Sequence, residues 1–421
     1  MEHRILANSM RRNRTGPWRV GLLGGFGVGN LGNDASLDAV IRLIRRIDPD
    51  AAITCICPKP EVVSARFGIA AHTIRSPRPP GRLPRSPITR LPQRFGDVTR
   101  ALRIVGSLDA LLVPGTGILD DYGGERPTGW PLTLAVWFGA ARIRGARTAL
   151  VSVGAGPLAH RASRRLARLV GRLADHRSFR DIGSREFMIS AGLDVPADEV
   201  VPDIVFSTPS LESTEPRTDR PLVVVPVMKY RGWYAKQRSA LISARHTSSL
   251  SEFCSWLLDD GYAVRLVTAD EGDDPATDEV AQRIISMNPD LALQWLTKET
   301  ADDLPALNRQ LSDASAVVAT RYHSVISALM CGKPTISIGY AAKNDQLMAE
   351  VGLGDYCQHI EQIDQALLRR QFKDLILNQR SLSLEVTARV AEFREQLSAE
   401  EERIKQRLYH PANLMPLPRS L

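Results

Sequence analysis

Arg321 and His323 stand two residues apart in the run ATRYHSV, between a short β-branched segment and the start of helical spacing. A guanidinium grips phosphate or carboxylate through two parallel hydrogen bonds, and an imidazole can deliver a proton near neutral pH. At a helix N-terminus, whose dipole favours negative charge, the pair suits an acidic substrate whose reaction needs proton delivery. A purely structural histidine in a strand-to-helix turn is the alternative. Tyr340 and Lys343 follow in the same stretch, where Lys343 is either a second positive charge for the ligand or a solvated lysine.

Two glycine-rich loops could face such a ligand. In GGFGVGNLGND, Gly27, Gly29 and Gly32 have the G-x-G-x-x-G spacing, and Asn30, Asn33 and Asp34 add side-chain donors and acceptors to the backbone N–H groups. The dinucleotide reading fails its next test. The second strand ends at Cys57-Pro58-Lys59 instead of an acid that could hold a ribose, and Asp48 and Asp50 precede that strand. A ligand-binding loop is therefore expected, with a tight structural turn as the alternative. In PGTGILDDYGG, Gly115, Gly117, Asp120 and Asp121 follow another strand. The carboxylates can act as general base or hold sugar hydroxyls, or one of them caps the next turn.

The elements that must position these residues alternate regularly. The spacing predicts strands at 18–23, 51–57, 110–113, 147–153 and 177–180, separated by helices at 35–47, 97–106, 131–143, 161–174 and 184–191. The plan repeats with strands at 222–227, 262–268, 291–295, 316–320 and 335–338 and helices at 248–258, 277–285, 301–311 and 324–331. Alternation of this kind implies parallel sheets with helices on both faces. The expected fold class is α/β: two doubly wound Rossmann-like domains facing a cleft, resembling the GT-B architecture, with a long C-terminal helical segment. The expected division is a basic tail 1–16, an N-terminal Rossmann-like domain 17–206, a linker 207–221, a C-terminal Rossmann-like domain 222–375 and a helical segment 376–421. The proline- and arginine-rich run from Ser76 to Phe95 reads as a long loop, either solvated or a peripheral contact to an anionic membrane.

The net charge of +7 is spread along the chain without a zinc-finger, helix-turn-helix or RNA-binding aromatic motif, so nucleic acid is not an expected partner. Five cysteines, an odd number without a C-x-x-C pair, read as buried thiols of a reducing cytoplasm. The N-terminus has no apolar core of a signal peptide, and no run reaches the ~18 apolar residues of a membrane span. The expected location is cytoplasmic, with any membrane contact peripheral, at the inner face.

Through GGFGVGNLGND, PGTGILDD, SVGAGPL, SFRDIGSREFMISAGL, VPDIVF and TRYHSVISALMCGKPTISIGYAAKND, the chain resembles the polysaccharide pyruvyl transferase family over most of its length. The last stretch is the most specific, with R-x-H-x-x-x-x-A-x-x-x-G-x-P followed by Tyr340 and Lys343. Two departures stand out: the first loop has Asn33-Asp34 where the family shows N-x-G-D-E, and the second has Gly115-Thr116-Gly117 in place of a glycine triplet. The resemblance implies transfer of pyruvate from phosphoenolpyruvate onto two hydroxyls of a glycan, free or lipid-linked, as a ketal in envelope or exopolysaccharide synthesis. It implies Arg321 holding the donor, His323 as general acid, and Asp34, Asp120 or Asp121 as base. No metal or cofactor is expected, phosphoenolpyruvate being the donor substrate. The rival readings are a GT-B glycosyltransferase using a nucleotide sugar and a non-catalytic partner of glycan synthesis. Against the first, Ser327 stands where retaining enzymes of that kind show a ribose-binding glutamate.

Overall fold

A computed structural model describes residues 16–76, 91–120, 129–194, 198–209, 219–230, 232 and 239–409. The basic tail before residue 16, most of the basic loop, Asp121 and most of the expected linker lie outside the described residues. The chain forms two compact units. The first comprises the described residues up to Val28, Ser36–Ile204 and the chain from Gln396 onward; the second comprises Gly29–Ala35 and Val205–Glu395.

The first unit carries β1 (Arg19–Leu23), α1 (Leu31–Ile47, whose first turn groups with the second unit), β2 (Ala52–Cys57), α2 (Pro60–Phe67), β3 (Ala70–Thr73) and α3 (Leu91–Val105). It continues with β4 (Ala110–Pro114), α4 (Trp130–Arg144), β5 (Arg147–Val153), α5 (Arg161–Leu173), β6 (His176–Phe179), α6 (Ile182–Ser190) and β7 (Glu199–Val200). The seven strands are all parallel in the order β3-β2-β1-β4-β5-β6-β7. Successive side chains of a strand point to opposite faces. Leu23, Leu111 and Val113 accordingly enter one core with Trp137 and Phe138 of α4, while Val20, Leu22 and Leu112 enter the other with Leu37 and Ile44 of α1. Both faces are covered, which is why the central strands are almost continuously apolar.

The second unit carries β8 (Leu222–Val227), α7 (Ser239–Asp259), β9 (Ala263–Thr268), α8 (Asp274–Met287), α9 (Pro289–Trp295), β10 (Leu296–Thr300) and α10 (Leu304–Ser312). β11 (Ala316–Ala319), α11 (Tyr322–Met330), β12 (Thr335–Gly339), α12 (Ala342–Glu350), β13 (Cys357–His359), α13 (Gln365–Leu377) and α14 (Gln379–Ile404) complete it, the end of α14 grouping with the first unit. Its six strands are parallel in the order β10-β9-β8-β11-β12-β13. The fold is thus two doubly wound parallel sheets with a long helical C-terminal segment.

Three expectations need correction. Residues 291–295 are helix, not strand: Pro289 occupies the first helical turn, where its missing N–H costs nothing, and the strand is displaced to Leu296–Thr300. That strand lies at the sheet edge with Thr297–Thr300 exposed, so it carries no apolar pattern to find. The basic run is not loop to its end, because α3 starts at Leu91 with Pro92 in its first turn. The short edge pair α2 and β3 was also not expected; only Val63 of α2 is buried.

Candidate active site

In a doubly wound sheet the strand order reverses between two central strands, and ligands bind beyond their carboxyl ends. In the second unit this point lies between β8 and β11, where the Thr320 hydroxyl donates to the Pro226 carbonyl at 2.9 Å. The chain then turns into α11 through Arg321, the N-cap residue, with extended backbone (φ −94°, ψ 143°). α11 is buried along nearly all its length, which fixes the position of its first turn.

The Arg321 guanidinium does not stand open. Its Nε donates to Asp273 Oδ2 at 2.6 Å, its Nη2 to Asp273 Oδ1 at 2.8 Å, and its Nη1 lies 2.8 Å from Asp270 Oδ2. Those three contacts engage three of its five donors. Burial alone would weaken the cation, but Asp273 and Asp270 outweigh it and hold the guanidinium above its ordinary value. Asp273 also accepts the Lys229 N–H at 2.9 Å, so one carboxylate ties the loop after β9 to the ends of both β8 and β11. Burial pushes the Asp270 carboxyl up; Arg321, the Leu31 N–H and the Asn30 amide oppose the shift without cancelling it.

Asp270 also reaches the glycine-rich turn. Residues Gly29–Ala35 belong to the second unit, and Asn30 Nδ2 and the Leu31 N–H each donate to Asp270, both at 2.9 Å. The Asn30 side-chain oxygen accepts the Asn33 N–H at 2.9 Å, capping α1. Gly29 has φ +75°, and a Cβ there would fall 2.2 Å from the Glu271 carboxylate. Gly32 lies against the imidazole of His323, with 1.9 Å between an added Cβ and Nδ1. No side chain larger than hydrogen fits there without moving the ring. Asp34 is buried in the same turn, its N–H donating to the Asn30 carbonyl at 3.2 Å.

Lys343 Nζ sits 5.0 Å from the Tyr322 ring centre and 5.3 Å from that of Tyr340, in cation–π contact with both. Tyr340 stacks on Tyr230 at 6.1 Å, and the Tyr230 hydroxyl donates to Glu361 at 2.6 Å. Behind Tyr230 lies buried His246, whose pKa burial lowers to about 4, so it is neutral at physiological pH. Gly29, Asn30, Gly32, Asn33, Asp34, Arg321, His323, Tyr340 and Lys343 thus all belong to one unit.

The remaining residues lie in the first unit. Gly27 (φ +74°) packs over the Lys59 carbonyl, and Gly115 packs against Ile204 while its own carbonyl accepts the Ser36 hydroxyl at 2.8 Å. Gly117 borders open space, and Asp120 is half-buried just beyond it. Asp121 lies outside the described residues. Beside Gly117 is a polar cluster that motif reading did not resolve. The buried Arg180 contacts Asp203 at 3.3 Å and Asp181 at 3.5 Å, under Gly154. Ser152 in β5 holds φ +53°, strained for a non-glycine residue, with its hydroxyl donating to the Pro202 carbonyl at 2.8 Å. Asp270 and Asp273 were missed as well; their signal was an acidic run, TADEGDD, placed directly after a β-branched strand.

Ser327 faces inward and hydrogen-bonds Asn308 of α10, both fully or nearly fully buried. Its side chain is part of the packing and does not line the turn at Arg321 and His323.

Solved structures share the fold at low identity. A glycosyltransferase from Rickettsia africae is 10% identical with a TM-score of 0.60, covering 94% of this chain and 100% of its own. A putative UDP-N-acetylglucosamine 2-epimerase from Listeria monocytogenes is 12% identical with a TM-score of 0.59, covering 97% and 100%. The UDP-GlcNAc 2-epimerase from Neisseria meningitidis bound to UDP-GlcNAc is 10% identical with a TM-score of 0.56, covering 90% and 100%. No curated protein matches the chain by sequence. The family model for polysaccharide pyruvyl transferase matches residues 30–341, from the capping asparagine of the glycine-rich turn through β12 to the turn holding Tyr340. The chain therefore belongs to the polysaccharide pyruvyl transferase family.

Proposed function

We propose that this transferase moves the pyruvate of phosphoenolpyruvate onto two hydroxyls of a glycan sugar, closing a ketal and releasing phosphate. The observation that carries the reading is His323, held at the start of α11 against Gly32 in a turn braced by the Asp270–Arg321–Asp273 network. In the proposed sequence a sugar hydroxyl adds to C2 of the enol while His323 protonates C3, turning the methylene into a methyl group. The C2–O bond to phosphate then breaks, and a second hydroxyl attacks C2 and loses its proton. Asp34, Asp120 or Asp121 serves as base.

Arg321 takes a changed part in this scheme. Two carboxylates already offset its charge, so its main task is to set the α11 turn, leaving two N–H donors for the anion. Lys343 and the positive end of α11 supply the rest of the attraction. The acceptor is a glycan, free or lipid-linked, and the setting is envelope or exopolysaccharide synthesis at the cytoplasmic side of a membrane.

The test is incubation with phosphoenolpyruvate and candidate glycan acceptors, following phosphate release and the acceptor mass together. Equal amounts of phosphate and ketal support the reading. Turnover of a nucleotide sugar with none of phosphoenolpyruvate would replace it with glycosyl transfer, and binding without turnover of either would favour a non-catalytic partner.

Gly32→Ala separates site geometry from fold. In a helix Ala is favoured over Gly by ~1 kcal/mol, so stability alone gives no reason for glycine here. The added methyl displaces the imidazole, and a misplacement of about 1 Å costs ~10²-fold in rate. We expect turnover to fall by about that factor with no drop in the urea midpoint; normal turnover would show that the Gly32–His323 contact does not matter for catalysis.

A further inference from the structure

Between Gly129 and Ala174 the chain has eight arginines and no aspartate or glutamate. Five of them lie on α5, where Arg161, Arg164, Arg165 and Arg172 are exposed and Arg168 is half-buried. Ser163, Ala167 and Val170 form the opposite, buried face. Pairs 161/164, 161/165, 164/168, 165/168 and 168/172 are three or four residues apart, the spacing at which like charges repel on a helix. Arg161 stands in the first turn, where the helix dipole also disfavours a cation. α5 packs beside α4, whose last turn adds exposed Arg142 and Arg144. Two large apolar side chains stand out among these arginines: Leu169 is 44% exposed and Ile143 is 71% exposed.

Such a surface is self-repulsive alone and is relieved by a polyanion. We propose that the α5 face, with the end of α4, docks on the anionic headgroups of a lipid bilayer, α5 lying in the plane of the interface. The two apolar residues decide between polyanions. A nucleic-acid backbone offers phosphates but no use for an exposed isoleucine and leucine, whereas a bilayer interface takes both charge and apolar side chains. No helix among the described residues is long and apolar enough to cross a membrane, so the contact would be peripheral. This surface is distinct from the 76–95 loop and does not depend on the proposed reaction.

The test is cosedimentation of the full chain with phosphatidylcholine vesicles, with and without phosphatidylglycerol. We expect binding only to the anionic vesicles, weakening as salt rises. At about fivefold per arginine near such a surface, Arg164→Gln with Arg165→Gln should weaken binding about 30-fold. Ile143→Ser with Leu169→Ser should weaken it at unchanged net charge. All these positions are at the surface, and circular dichroism checks that the helices persist. Absence of binding to anionic vesicles, or equal binding by the arginine variant, overturns the proposal. Equal binding by the Ile143/Leu169 variant, with comparable affinity for duplex DNA, overturns the choice of a bilayer and leaves a general polyanion surface.

Discussion

His323→Gln is expected to lower turnover with phosphoenolpyruvate and a glycan acceptor by ~10²–10⁴-fold, the range a positioned general acid contributes. Glutamine is close in size and keeps hydrogen-bonding capacity, so the half-buried position beside Gly32 should tolerate it. It cannot take up and release a proton near neutral pH. If His323 acts only as the acid in the transition state, kcat should fall while KM for phosphoenolpyruvate stays within a few-fold. The imidazole-dependent limb of the pH profile should disappear with it. Steady-state phosphate release across pH reads all three. Near-normal kcat would sink the catalytic assignment, and a loss confined to KM would make His323 a donor-binding residue.

Glu400→Ala is expected to destabilise the first unit by about 1–3 kcal/mol, the usual cost of leaving a buried hydrogen-bonding group without its partner. Glu400 and His176 are each about 1% exposed, and Glu400 Oε1 lies 2.6 Å from His176 Nε2. Arg403 Nε also donates to Glu400 at 2.9 Å. Burial opposes ionisation of Glu400, but the bonds from His176, Ser178 and Arg403 prevail and lower its pKa below the ordinary 4.5. A depressed carboxylate stabilises the fold fully above its unfolded pKa and loses that stabilisation as pH falls through the folded value. The difference between wild type and Glu400→Ala in urea should therefore be largest at neutral pH and shrink below about pH 4. The double change His176→Leu with Glu400→Leu should recover much of the loss, because it leaves neither a buried carboxylate nor a buried imidazole without its partner. A Glu400→Ala effect under 1 kcal/mol, or one independent of pH, would refute the account.

The sequence was most legible where burial imposes a pattern. β8 and β5 fall where the apolar runs place them, because strands covered on both faces are almost continuously apolar. β10 was misplaced because an edge strand of Thr, Lys and Glu carries no such constraint. The candidate site was legible in its residue types but not in their partners. Arg321 and His323 could be picked out from charge and place in the turn, whereas the engagement of Arg321 by Asp270 and Asp273 depends on a contact across about fifty positions of sequence. Gly32 looked like one glycine of a phosphate-type turn, and only the imidazole standing where its side chain would be shows a second reason for it. Ser327 shows the opposite limit: its comparison with a ribose-binding glutamate assumed a side chain facing ligand, and the chain places it in the packing against Asn308.

Residues Gly29–Ala35 are drawn from the midst of sequence that builds the first sheet, yet they complete the second unit. During synthesis they leave the ribosome some 235 residues before Asp270 and about 290 before His323. At a translation rate of about 5–20 residues per second, they wait for tens of seconds before the groups that hold them exist. The start of α1 must stay unclaimed over that interval, or be released later. A fragment starting at the expected linker would likewise lack seven residues of its own unit, including the capping Asn30 and the glycine beneath the imidazole. Supplying them as a separate peptide turns the assembly of this turn into a binding reaction that can be timed.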